Sequence, residues 1–284
     1  MVNFDVLKFK FRKIKEKFLR FWRSDNKNIS LVRDVLFAFL LVFIILMALW
    51  TYTGQWFGAP MVAIESGSME HLNEPFGRIG TIDAGDMVLL VKVYSKSDII
   101  PYINKDPNSI QYELYGDVII YRPYGDETRD QIIHRAMCYI DYNEEYDTYS
   151  VEKYGLINVT KITIPEIGLT NWPTDNTWRR SKTPHSGYIT KGDNPITNPT
   201  CDQEGGICDE PIKLEWISGK ARGELPWIGT LNLVFNDIIS GKNTLKNVPG
   251  DSIICLIILI AVLVSIPVAF DVYAYYEDKK KKQL

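Results

Sequence analysis

Two long uncharged runs constrain this chain more than any other feature. Residues 35–50 (VLFAFLLVFIILMALW), extended to about Gly54, carry no charge, and residues 253–270 (IICLIILIAVLVSIPVAF) lie between Asp251 and Asp271. A helix needs about 20 apolar residues to cross a hydrocarbon core of roughly 30 Å. The first run meets that length. The second is near the lower limit, with Pro267 placed to kink its last turn. A run with no polar face reads as a membrane span, and a buried core helix is the alternative for the second. No small-x-small cleavage site follows the first run, so it reads as a retained anchor rather than a cleaved leader.

Charge sets the topology. Residues 1–33 hold ten basic groups against three acids, and Lys279, Lys280, Lys281 and Lys282 follow the second run, while the stretch between the runs is net acidic. Basic residues flank spans on the cytoplasmic side, so both ends belong there and the middle lies across the membrane. The expected organisation is a cytoplasmic basic amphipathic segment (1–33), a transmembrane helix (34–54), an extracytoplasmic domain (55–250), a second transmembrane helix (251–271) and a basic tail (272–284). Residues 7–22 (LKFKFRKIKEKFLRFW) alternate basic and bulky apolar residues, a pattern suited to the inner membrane surface. An acidic middle offers no basic face to nucleic acid, so that class of partner is not expected.

The extracytoplasmic part reads as mainly β. Segments 60–65, 86–94, 117–121, 131–140, 188–191 and 213–217 are short, rich in β-branched and aromatic residues, and bounded by Gly, Pro, Asp or Asn. A short helix is expected near 231–239. Residues 95–115 and 141–185 read as elaborated loops or added hairpins. Asn158-Val159-Thr160 is an N-glycosylation tripeptide on the outer side. Cys138 and Cys255 read as buried hydrophobes. Cys201 and Cys208 would pair across a short loop in an oxidising compartment, although their spacing equally leaves two free thiols.

The chemistry is carried by a few polar residues. Ser66-Gly67-Ser68 stands a few residues beyond the first span, where glycine permits a sharp bend that presents a hydroxyl. A serine nucleophile needs a base to take its proton and a group to orient that base. His134 lies in a strand-like run (IIHRA), where the bland reading is a hydrogen-bonded core histidine, and Asp193 lies in a Gly-Asp-Asn turn. Each is a weak signal alone.

Together and in order, SGSM (66–69), GDMVLL (85–90), GDVIIY (116–121), IIHR (132–135), TKGDN (190–194) and GELPWIG (223–229), following the first span, resemble signal peptidase I of the kind found in archaea and the endoplasmic reticulum. Bacterial relatives place a lysine where this chain has His134, so the histidine points to the serine–histidine–aspartate branch. The resemblance implies a signal-peptidase-like coiled β-sheet fold flanked by two transmembrane helices, with Ser68 as nucleophile and His134 as general base. Ser66 and the Ser68 N–H are implied as oxyanion-hole donors. The acidic member is either Asp202, in Cys201-Asp202-Gln203, or Asp193. Asp202 is expected to partner His134, and Asp193 to support the site. His71 stands where the family usually has proline and is a rival base on the same loop. His185 matches no motif and receives no role.

The implied activity is removal of signal peptides after small-x-small sites, at the depth where a nucleophile tethered beside its own span would sit. The substrate would bind extended along a strand edge, at 86–94 or just before Ser66. Expected partners are signal peptides of secreted preproteins, the lipid bilayer and the protein export machinery. No cofactor or metal is expected. Competing classes are a related membrane serine protease acting on other surface-protein precursors and a non-catalytic tethered β domain. The plasma membrane, with the domain outside the cytoplasm, suits two spans. The Lys281-Lys282-Gln283-Leu284 ending also fits retrieval to the endoplasmic reticulum.

Overall fold

The computed structural model describes residues 12–281 apart from 14, 18, 25 and 72–78. It divides into two units, Met1–Tyr52 and Thr53–Leu284. Helix α1 (Lys27–Thr53) takes in the first apolar run, and its side chains are largely exposed. Within residues 7–22, the described positions 12–13, 15–17 and 19–22 are helical, and the rest of that segment lies outside the described residues.

The second unit is built on an antiparallel sheet. Its strands are β1 (Met61–Ala63), β2 (Met87–Val91), β3 (Val118–Tyr121), β4 (Ile132–Asn143), β5 (Thr148–Val151), β6 (Leu156–Val159), β7 (Ile162–Ile164), β8 (Leu169–Trp172), β9 (Gly187–Lys191) and β10 (Ile217–Leu225). The main sheet runs β1-β2-β10-β3-β4-β5-β6, with β9 paired to β4, and β7 and β8 form a separate hairpin. Two shorter helices, α2 (Asp202–Gly205) and α3 (Gly229–Ser240), and the long α4 (Gly250–Lys281) follow β9 and β10. Helices α1 and α4 are both long and apolar enough to cross a membrane. The domain is therefore mainly β, with a long apolar helix at each end.

Sequence and structure differ in instructive places. Residues 213–216 are not strand. Leu214–Trp216 is a 3-10 turn, and the strand begins at Ile217. Its inward positions are Ile217, Gly219 and Ala221, and beyond Ile217 they are small residues between polar ones, so its β signal is faint. Residues 141–185 hold the β5–β6 and β7–β8 hairpins, packed with Met137, Cys138 and Ile140 around the fully buried Trp172. Helix α4 runs on through Pro267, and the polar tail continues it to Lys281.

Strand β3 is the centre of the design. All four of its residues (Val118, Ile119, Ile120 and Tyr121) are buried, Val118 and Ile120 facing one apolar cluster and Ile119 and Tyr121 another. Burying each such side chain stabilises by roughly 1.5–3 kcal/mol, which pins the register of the two strands beside it. That register sets His134 opposite Ile119 and Ile132 opposite Tyr121.

Two of the sequence motifs lock onto each other. The carboxylate of Asp86 accepts from the backbone N–H groups of Asp83 (2.9 Å) and Trp227 (2.8 Å), and Thr230 N–H donates to the Gly85 carbonyl at 2.8 Å. A Cβ on Gly229 would fall 2.2 Å from the Asp86 carbonyl oxygen, so only glycine allows this approach. Asp117, in the third motif, is buried beneath Arg222 (2.7 Å) and Lys220 (3.3 Å).

Candidate active site

Strand pairing puts donors from three neighbouring strands around one carboxylate. Cross-strand partners share a face, so His134 on β4 stands on the same side as Ile119 and, diagonally, Tyr121 on β3. Thr190 on β9 pairs with Ala136, two residues along from His134 on that face. Asp202 opens the single turn of α2 and turns its side chain into this corner. His134 Nδ1 lies 2.8 Å from both carboxylate oxygens. The Tyr121 hydroxyl donates to Oδ2 at 2.6 Å, and Thr190 Oγ1 donates to the same oxygen at 2.5 Å. Asp202 and His134 are 1% and 2% exposed.

Electrostatics fix the direction of these bonds. A carboxylate only accepts, so Nδ1 of His134 donates to it, and in the neutral imidazole Nε2 keeps the lone pair. Burial first, and then the adjacent Asp202 carboxylate and its bond, hold the Tyr121 phenol well above its ordinary range, so it stays a donor. Gln203 braces the corner from behind. Its Oε1 accepts from Thr190 N–H at 3.2 Å and its Nε2 donates to the Glu210 carbonyl at 3.2 Å.

Ser68 is positioned through its backbone. Its carbonyl accepts from Asn194 N–H at 3.0 Å and from Asn198 Nδ2 at 3.2 Å, while Asn194 Nδ2 donates to the Gly67 carbonyl at 2.8 Å. Gly192 is required at this contact, because a Cβ there would meet the Ser68 carbonyl oxygen at 2.6 Å. Met69, buried at 1% exposure in the cluster behind the loop, anchors its far end. Ser66 Oγ, exposed, lies 3.4 Å from Ser68 Oγ. Ser66, Ser68 and His134 line one open groove of about 760 Å³, which Met61, Val62 and Ala63 of β1 also border.

Asp193 belongs to a different cluster. Arg135 Nε donates to its Oδ1 at 2.9 Å and Nη2 to its Oδ2, while His71 Nε2 lies 3.5 Å from Oδ2. The same guanidinium reaches the carbonyls of Gln111, Leu114, Tyr115 and Gly116 at 3.1, 3.3, 3.2 and 2.7 Å. Burial alone would raise the Asp193 carboxyl, but the bonds from His71 and Arg135 outweigh it and hold it below its ordinary value. His71 also faces Glu113 at 3.6 Å. His185 stands apart, between the Trp178 and Trp216 rings and 3.3 Å from the buried Glu210.

The Cys201–Cys208 bridge does not form. Both are free thiols, fully buried on either side of Asp202 in two separate apolar clusters. Burial pushes each up to about 12, so both are poor thiolates and pack as small hydrophobes.

Tyr121, Thr190, Asn194 and Asn198 carry functions that residue patterns alone did not mark. Tyr121, Thr190 and Asn194 close or sit within ordered motifs, and a polar residue ending an apolar strand was the available signal. Among the described residues, no group of His, Cys, Asp and Glu has the make-up to hold a metal ion. Compared with known proteins, the chain matches no family model and no curated sequence.

Proposed function

We propose that this chain is a membrane-bound serine endopeptidase that removes signal peptides from exported preproteins, with its β domain outside the cytoplasm. One observation carries the reading: His134, held by the buried Asp202, lines the same groove as a serine whose backbone is clamped from two sides.

Ser68 Oγ attacks the scissile carbonyl while His134 Nε2 takes its proton, and Asp202 stabilises the imidazolium and holds the ring in the right tautomer. Ser66 Oγ and the Ser68 N–H donate to the oxyanion. The leaving amine receives the proton from His134, and a water activated by the same nitrogen then releases the acyl chain. Strand β1 ends the sheet, so its outer edge can take an extended substrate as an added strand beside Ser68. Val62, Ile120 and Ile133 give that part of the groove an apolar lining suited to small side chains.

The test uses the full chain reconstituted in vesicles with a preprotein bearing a small-x-small site. Mass spectrometry should place the new N-terminus directly after that site. Ser68→Ala should lower the rate by about 10⁴- to 10⁶-fold without changing insertion. Cleavage that survives Ser68→Ala would remove the proposal.

A further inference from the structure

Helix α3 carries a face that is exposed among the described residues. Leu231, Phe235, Ile238 and Ile239 are 41%, 64%, 75% and 83% exposed. At 100° per residue they fall within an arc of about 100°, opposite Leu233 and Thr230, which are buried. The helix cannot roll to hide them. Thr230 is bonded to the Gly85 carbonyl through both N–H (2.8 Å) and Oγ1 (3.3 Å), and Gly229 is pressed against Asp86. Its far end is equally fixed, because the Asp237 carboxylate accepts from Thr244 N–H and Leu245 N–H, both at 3.0 Å.

We infer that this stripe is seated in the lipid surface of the membrane that α4 enters. Only residues 241–249 separate α3 from α4, and nine residues reach no further than about 32 Å. The stripe is thus held next to a helix whose sides are apolar and exposed in the same unit. Lys246 and Lys242 are exposed just beyond the stripe, Lys242 also lying 3.8 Å from Asp130, at the level where an interfacial helix meets anionic headgroups. Asn232 of α3, with Thr244 and Asn247 after it, lines the groove that holds Ser68 and His134. Seating α3 in lipid therefore sets that groove at a fixed, shallow height above the bilayer. The docking goes beyond the proteolytic reading and stands without it.

Nitroxide labels on the full chain test it, with Cys255→Ala as background since Cys138, Cys201 and Cys208 are buried. The chain is reconstituted in phosphatidylcholine–phosphatidylglycerol vesicles. Labels at Phe235→Cys and Ile239→Cys should relax several-fold faster with oxygen, which concentrates in lipid, than with a water-soluble nickel chelate. Asn236→Cys, exposed on the flank, should show the reverse. Nickel reaching 235 and 239 as readily as 236 would overturn the docking. So would dipolar broadening between copies at 235 and 239, which would make the stripe a self-association seam. Phe235→Asp with Ile239→Asp should slow cleavage of a membrane-inserted preprotein about tenfold and leave a soluble peptide with the same site unaffected. If no substrate is cleaved while the labels remain in lipid, the proteolytic reading falls and the docking stands.

Discussion

The domain contains two histidine–aspartate pairs near the same serine loop, and they are built for different work. At His134–Asp202 the carboxylate meets an imidazole, a phenol and a hydroxyl, none with a permanent charge, and both residues are almost wholly buried. At His71–Asp193 the carboxylate already has a permanent cation, Arg135, and the histidine stands 3.5 Å off at the rim. A carboxylate neutralised by a guanidinium has little left to give an imidazolium that forms during a reaction. One whose partners are neutral keeps its full charge for that moment. The cation beside Asp193, more than its distance from a histidine, separates it from Asp202.

Exchanging the histidines should break this comparison most visibly. His134→Ala should lower preprotein cleavage by about 10⁴-fold or more, since the proton acceptor is lost. His71→Ala should stay within about threefold. The opposite ranking would move the base to the loop and make the His134–Asp202 pair a core contact.

The aspartates should divide along a second line, folding against chemistry. Asp193→Asn leaves a buried guanidinium without its charge partner, a change that costs about 3–5 kcal/mol. Unfolding in mild detergent, followed by circular dichroism, should show a clear drop in midpoint, with the remaining folded protein still active. Asp202→Asn should spare the midpoint by comparison and remove turnover. Equal loss of stability in both would mean that the two sites are one structural unit.

The smallest effect lies in acid. Because the Asp193 carboxyl is held below its ordinary 3.8, the unfolded chain binds a proton more readily than the folded one in that window. Its contribution is therefore complete above the ordinary range and disappears as pH falls through the lower, folded value. Asp193→Asn should flatten the acid-side loss of stability below about pH 4, where the wild type should fall more steeply. An unchanged slope would mean that other carboxylates dominate acid unfolding.

How much of this was legible beforehand follows from the range of the interactions. The two apolar helices and strands β1, β2, β3, β4 and β9 follow from runs of residues, because apolar burial leaves its period in the sequence. Strand β10 was misplaced because its inward positions are Gly219 and Ala221, small residues that fit beneath β2 and β3 but carry little β preference of their own. The meeting of His134 with Asp202 was anticipated from the ordered resemblance. Its supports were not. Tyr121 and Thr190 look like ordinary strand residues until β3, β4 and β9 are laid side by side. Whether Cys201 and Cys208 pair was open from their spacing, because nearness in sequence says nothing of direction; in the structure the two thiols are free and lie in different clusters.

The clamp on Ser68 also has a consequence for how the molecule comes into being. Asn198, which holds the Ser68 carbonyl, follows it by 130 residues, and Asn194, which holds Gly67, follows by 127. A ribosome delivers the serine loop first and its clamp only after β9 has been made. Through most of synthesis the hydroxyl is therefore present but unaimed, and His134 is without Asp202. On the proposed reading, the site can be complete only once the chain has been made through Asp202.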